Sequence, residues 1–270
     1  MNSYKRYLHL LLGMSLTLSC SLKGKKNDEN PLAKELVTYY PTSTTGVVIN
    51  HKYYSLSYSE EDEQAEWVAY KIISNKLNNI SRTNNFKVDP YIQSGSSQIY
   101  DYQGSGYDRG HLAPAKTMSQ NKTSMSESFY MSNISPQNPG FNRGIWKKLE
   151  EKVRYWASMN DSLLVVTGPI LERPIDIIGD NDVTVPRAYY KTILCFKGDI
   201  IKGIAFIIPN QKSDKSIYSF AVSINEVEEK TGIDFYQKLD NTIQLKVEAN
   251  DDLKIFTSLN TSRTYPGAKK

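Results

Sequence analysis

Two long apolar runs limit the fold of this chain more than any other feature. YYKTILCFK (189–197) and IIKGIAFIIPN (200–210) flank Gly198-Asp199. Both are rich in β-branched and aromatic residues, and the two residues between them are a tight-turn signal. The segment therefore predicts an antiparallel hairpin. SLLVVTGPIL (162–171) predicts a third strand, buried and closed by Gly168-Pro169.

The rest of the chain supplies mixed elements around these strands. GVVINHKYYSLSYS (46–59) alternates like a strand with its turn. EEDEQAEWVAYKIISNKL (60–77) opens with acids and continues with apolar Ala65, Trp67, Val68 and Ile72, a pattern that predicts an amphipathic helix. Residues 94–107 form a Ser/Gly/Tyr-rich loop. Asn138-Pro139 offers a cap followed by proline at the first helical position. A helix over residues 139–159 follows, with Trp146, Leu149, Val153 and Trp156 on one stripe. SINEVEEKTGIDFYQKL (223–239) predicts a short helix capped at Ser223 or Asn225. Strands and helices mix without βαβ alternation, which predicts an α+β fold with a mostly antiparallel central sheet flanked by helices.

The N-terminus reads MNSYKRYLHLLLGMSLTLSC. Basic Lys5 and Arg6 precede an apolar run too short to span a bilayer, which predicts an export signal. Ser19-Cys20 closes the run as in a bacterial lipoprotein, with Cys20 as the lipid-carrying residue, although Thr17 stands where a large aliphatic is usual. The expected location is outside the cytoplasm, anchored in the periplasm or at the cell surface, with plain secretion as the alternative. Residues 21–37 are polar and charged and read as a flexible tether. One domain over residues 38–262 and a tail at 263–270 complete the division, since no linker-like stretch interrupts the later chain. Cys195, in an apolar run, is expected to be a buried thiol without a disulfide.

Composition decides little about partners. The formal net charge is +4, and loss of Lys5 and Arg6 with the export segment halves it. That permits a polyanionic partner without requiring one. The nineteen tyrosines are as consistent with sheet packing as with base stacking. With three histidines, His9, His51 and His111, a multi-histidine metal centre is nearly excluded in a monomer. A Gly-x-Ser-x-Gly elbow and a phosphate-binding loop with Lys-Ser/Thr are both absent from the sequence.

What remains is SGYDRGHLAPA (105–115). Arg109-Gly110-His111 places a cation, a flexible residue and a base together. Gly110 is expected to let the backbone turn sharply, so that arginine and imidazole converge. A lone histidine after glycine is more often a turn residue than a catalyst. About thirty residues on, Asn142, Trp146, Glu150 and Arg154 recur every four residues and form one drifting row on a helix. A solvated face with an i,i+4 Glu-Arg pair would give the same spacing.

Together with FYMSNISPQNPGFNRGIWKKLE, TGPIL, VPRAYYK and SINEVEEKTGIDF, this motif resembles the DNA/RNA non-specific endonucleases, the family of endonuclease G and secreted bacterial nucleases. The resemblance spans about Gly46 to Leu239 with the motifs in family order. It implies a ββα-metal (His-Me finger) core and a hydrolase that cleaves phosphodiester bonds of DNA and RNA with a bound Mg²⁺, or Mn²⁺ or another divalent cation in its place. It implies His111 as general base, Asn142 as the one direct protein ligand, and Glu150 as an acid that orients metal-bound water. Arg109 and Arg154 are implied to contact phosphate or support that water network. Arg82, before NNFKVDP, is implied to stabilise transition-state charge, and Asp108 with Gly110 to support the turn. Lys116 departs from the acid common in the family at that place. A homodimer and an inhibitor protein are left open. Two other readings share the fold: a non-catalytic nucleic-acid-binding lipoprotein, and a metal phosphodiesterase for small nucleotides. The presence of both His111 and Asn142 argues against the first, while the second depends on cleft depth.

Overall fold

The computed structural model describes residues 39–74 and 80–257. A seven-stranded sheet carries the fold, in the order β1 (Val48–Asn50), β2 (Ser55–Ser59), β3 (Gln64–Ile73), β6 (Ser162–Ile170), β9 (Ala188–Lys197), β10 (Ile200–Pro209) and β11 (Ala221–Val222). Every neighbouring pair is antiparallel. Two short ribbons complete the strands: β4 (Asp108–His111) with β5 (Ile134–Gln137), and β7 (Asp176–Ile178) with β8 (Val183–Val185). The helices are α1 (Lys122–Glu127), α2 (Lys147–Ser158), α3 (Ile224–Thr231), α4 (Asn241–Glu248) and α5 (Leu253–Thr257). The architecture is the expected α+β.

The hairpin forms as its sequence predicts. Lys197 pairs Ile200 across the turn, and Gly198 adopts φ 55°. Apolar side chains cover the sheet on both faces. Trp146, Leu149, Val153 and Trp156 of the α2 layer pack with Tyr70, Ile72, Val165 and Ile193 on one face. Val227, Phe235 and Val247 pack with Trp67, Val166 and Leu194 on the other. Burial on both sides explains the nearly continuous apolar runs of β6, β9 and β10, because neither strand face is left to solvent along most of their length. Cys195 is a free buried thiol, and burial pushes its pKa up to about 11.

Three expectations are corrected. Residues 64–73 form strand β3 and not the amphipathic helix. Val68, Tyr70 and Ile72 point to one core while Trp67 and Ala69 point to the other. A doubly covered strand hides its period of two, so the apolar positions mimic a helical spacing. β6 does not end at Gly168-Pro169 but runs through it to Ile170. Its pairing with β3 stops at Thr167, so the ladder can tolerate a proline without an N–H at position 169. The helix over 139–159 is not uniform: Phe141–Trp146 is a π-helical turn, and α2 begins at Lys147. Gly144 takes non-helical dihedrals (φ −104°, ψ −109°) there. The two predicted caps do form. Asn138 Oδ1 accepts from Gly140 N at 2.9 Å, and Ser223 Oγ accepts from Glu226 N at 3.1 Å.

Candidate active site

The DRGH motif is the whole of β4, and it pairs residue for residue with β5: Asp108 with Gln137, Arg109 with Pro136, Gly110 with Ser135, His111 with Ile134. Two residues after Gln137 the chain enters the helical segment that carries Asn142 and Glu150. This is a β-β-α unit. Side chains of the ribbon fasten it to the large sheet. The Ser135 hydroxyl lies 2.6 Å from the Tyr189 hydroxyl of β9 and 2.5 Å from Gln64 Oε1 of β3. Asn210, after β10, donates to Pro136 O at 3.1 Å and accepts from Asn138 N at 2.8 Å.

Gly110 serves a different purpose from the expected sharp turn. It is extended strand, and a β-carbon there would collide with the Gln137 side chain across the ribbon. The glycine permits close approach of two strands. Convergence of Arg109 and His111 follows from strand geometry instead, because residues two apart share a face. The Arg109 guanidinium lies 4.4 Å from the Phe86 ring centroid, and the His111 ring 5.6 Å from the same ring.

His111 is 7% exposed. Phe129 meets its ring edge-on at 4.8 Å, and no hydrogen bond reaches its Nε2 among the described residues. Burial first, and the Arg82 charge second, push the imidazole pKa down to about 3. The ring is thus neutral at pH 7 and holds a lone pair for a proton. Arg82 is brought to this place as the sequence suggested. Its guanidinium sits 5.1 Å from the Phe129 ring, and Nε donates to Asn84 Oδ1 at 2.6 Å.

Asp108 does more than support a turn. Its carboxylate accepts Asn142 Nδ2 at 2.9 Å and both Nε (2.8 Å) and Nη2 (2.5 Å) of Arg143. The Asn142 amide is therefore held by its nitrogen, which fixes its oxygen as the open end. Glu150 and Arg154 lie on α2, beside Tyr70 of β3, whose hydroxyl feels both charges. The solvated-pair alternative is corrected: the i,i+4 pair of α2 is Lys147–Glu151, and Arg154 Nη1 is buried without a partner. The row of four is interrupted by the π-turn between Asn142 and Trp146, and Trp146 is core, stacked on Phe141 at 5.1 Å. Burial raises the Glu150 pKa, and the charges of Lys191, Arg154 and Arg82, in that order, oppose the rise.

Sequence reasoning missed four residues here. Phe86 and Phe129 wall the imidazole. Asn133 clamps the backbone just past His111, accepting from Ala113 N at 2.8 Å and donating to Ala113 O at 3.0 Å. Lys191 lies fully buried beside the Trp146 ring. All four lie inside the motifs that carry the family resemblance, and Lys191 stands out further as a charge in the middle of an apolar run.

A sequence model of the DNA/RNA non-specific endonucleases matches residues 34–242. The chain belongs to that family. The enzyme is 33% identical over 213 residues to a nuclease of Nostoc sp., covering 74% of this chain and 76% of the relative. It is 33% identical over 229 residues to nuclease C1 of Cunninghamella echinulata, covering 78% and 91%. Mitochondrial endonuclease G of Caenorhabditis elegans is 30% identical over 223 residues, covering 74% and 71%. Among solved structures, a crystal structure of the EndoG/EndoGI complex superposes with a TM-score of 0.72 at 29% identity, covering 81% of this chain and 96% of that one.

Nucleases of this family are metal-dependent and use a divalent cation. The residues fit such an ion. The Asn142 amide oxygen carries no hydrogen bond among the described residues while its nitrogen is tied. Glu150, whose pKa burial holds up at about 7 against the charges of Lys191, Arg154 and Arg82, is an acid on the helix that follows Asn142. The one group of three carboxylates that lie together among the described residues, Glu228, Asp234 and Glu248, is formed around α3 and α4 and contains none of these residues.

Proposed function

We propose that this endonuclease hydrolyses phosphodiester bonds of DNA and RNA with His111 as general base and Asn142 as the direct protein ligand of a Mg²⁺-type ion. One observation carries the reading. A neutral imidazole, an amide oxygen freed by Asp108 and a buried acid near three cations all belong to one β-β-α unit.

The chemistry follows from these placements. His111 takes the proton of the attacking water, a step worth about 10²–10⁴-fold. Its basicity suits the moment of reaction. A phosphate drawn to Arg82 offsets the smaller of the two causes that depress the imidazole, burial being the larger, so proton affinity rises in part when substrate is present. The cation, when bound, supplies Lewis-acid stabilisation of phosphoryl and leaving oxygens. Glu150 orients water on the Asn142 side of the site. Arg82, Arg109 and Arg154 hold phosphate oxygens. Arg109 is fixed for this by its stacking on Phe86, and Arg154 has a buried Nη1 with no partner among the described residues, a donor left for phosphate.

Residues 1–38 and 258–270 lie outside the described residues, and so does the reading of Cys20. On the sequence pattern alone we extend the proposal: residues 1–20 direct export, Cys20 carries the lipid, residues 21–37 tether, and the catalytic domain spans 38–262. No helix among the described residues is long and apolar enough to cross a membrane. A protein inhibitor is proposed as a partner class, since the structural neighbour is captured with one.

The test is to incubate the purified protein with supercoiled plasmid and with RNA, with Mg²⁺ and with excess chelator. Cleavage of both substrates with Mg²⁺ alone is expected. Full activity in chelator rejects the metal assignment, and inactivity on both polymers with activity on small phosphodiesters favours the phosphodiesterase reading.

A further inference from the structure

Three carboxylates gather on the sheet face opposite α2. Glu228 belongs to α3, Asp234 to the loop that follows, and Glu248 is the last residue of α4. Each is the chain neighbour of a core residue, since Val227, Phe235 and Val247 all pack in the apolar cluster of that face. The core therefore fixes the backbone that carries the acids. One oxygen from each carboxylate lies within 4.8 Å of the other two. No ion pair among the described residues includes any of the three.

A second, separate observation concerns Glu248. It is 5% exposed, and its buried Oε1 has no hydrogen-bond partner among the described residues. A buried polar oxygen without a partner is costly. Its place adds to that cost, because the C-terminal end of a helix is the negative end of its dipole. Burial first, then the charges of Glu228 and Asp234, push its pKa up to about 7, with only the Gln244 side chain opposing them. The other two acids are held in place by their surroundings. Glu228 Oε1 accepts from Phe235 N at 2.9 Å, which leaves Oε2 open. Asp234 is tied to the N-terminal segment, its N–H donating to Thr42 Oγ1 at 2.8 Å and its carbonyl accepting from Thr42 N at 2.9 Å.

We propose that Glu228, Asp234 and Glu248 form a second divalent-cation site, of the calcium type, separate from the catalytic centre. A bound cation supplies a partner for the buried Glu248 oxygen, offsets the mutual repulsion and complements the helix end. The donor set selects the ion. All three donors are carboxylate oxygens, which suit a hard cation and not zinc. Calcium takes six to eight oxygens in flexible geometry, and the exposed side at Asp234 admits water to complete the shell. The site joins α3, the 232–236 loop and α4, and through Asp234 it reaches Thr42. The ion acts on stability and takes no part in cleavage.

The experiment uses full-length protein stripped with EGTA, in wild type and in Asn142→Ala, which lacks the ligand assigned to the catalytic ion. Thermal unfolding is followed as Ca²⁺ is added. With a dissociation constant of about 10⁻⁴ M, 1 mM Ca²⁺ should raise Tm by about 3–6 °C in both proteins. The rise should vanish in Glu248→Gln and in Asp234→Asn. Without calcium, Glu248→Gln should unfold at a higher temperature than wild type, because a neutral amide relieves the repulsion. Terbium gives a direct readout, since Tyr236, two residues after Asp234, can sensitise its emission. Emission should persist in Asn142→Ala, fall when Ca²⁺ is added, and be lost in Glu248→Gln. Plasmid cleavage in saturating Mg²⁺ should be the same in Asp234→Asn as in wild type.

A Tm of Asn142→Ala that does not respond to Ca²⁺ overturns the proposal. So does an undiminished rise in Asp234→Asn, an exposed substitution that serves alone if Glu248→Gln does not fold. Terbium emission lost in Asn142→Ala and retained in Asp234→Asn places the only cation site at the catalytic centre and overturns it too.

Discussion

His111 links catalysis to stability, and one substitution tests both. The imidazole titrates at about 3 in the folded chain against an ordinary 6.5. The unfolded chain therefore binds the proton first as pH falls. Stability owed to the neutral ring is complete above 6.5 and is lost progressively down to about 3. At pH 4.5, two units below the ordinary value, the loss is about 2–3 kcal/mol at 1.36 kcal/mol per unit. With only 7% exposure, little solvent screening reduces that figure. Urea unfolding of wild type and His111→Ala in chelator, at pH 7.5 and pH 4.5, isolates this contribution, because other titrating groups are common to both proteins. Wild type should lose about 2–3 kcal/mol more than the variant between the two pH values. His111→Ala should also lower kcat by about 10²–10⁴-fold while staying folded. Equal acid sensitivity of the two proteins would refute the buried neutral imidazole, and a third of wild-type turnover in the variant would refute the base.

Asp108→Ala releases the Asn142 amide and Arg143, so the Mg²⁺ concentration for half-maximal cleavage should rise at least several-fold; an unchanged metal requirement would separate Asp108 from the ligand. Gly110→Ala forces a β-carbon into Gln137 and should destabilise by about 1–3 kcal/mol in urea unfolding, with Gln137→Ala restoring part of the loss. No restoration would mean that Gly110 is needed for another reason. Recognition through Arg82, Arg109 and Arg154 predicts plasmid binding that weakens steeply with salt and varies little with sequence, so a unique salt-insensitive cut site on a long duplex would contradict it. Cys20→Ser should move the enzyme from the membrane fraction to the soluble fraction, or stall processing, without altering kcat, and wild-type protein fully soluble in the medium with a different mature N-terminus would make the signal a plain one.

The sequence by itself determined the elements whose signals are local. A Gly-Asp turn between two apolar runs specifies a hairpin wherever it stands, and Asn138 and Ser223 cap because their side-chain oxygens reach backbone N–H groups two or three residues on. The order of the DRGH and Asn142-to-Glu150 motifs was equally legible, and with it the family. Tertiary structure alone decided what depends on a second segment of chain. Strand β3 was concealed because cores on both faces erase its alternation, and Gly110 is required by Gln137, a residue 27 positions away that only the β4–β5 register brings diagonally across the ribbon. The depressed imidazole of His111 arises from Phe86, Phe129 and Arg82, none of them adjacent in sequence. Lys191 meets the Trp146 ring only because β9 belongs to the sheet whose face that tryptophan covers. Electrostatics and steric contact act through space over a few ångströms, and the fold sets those distances.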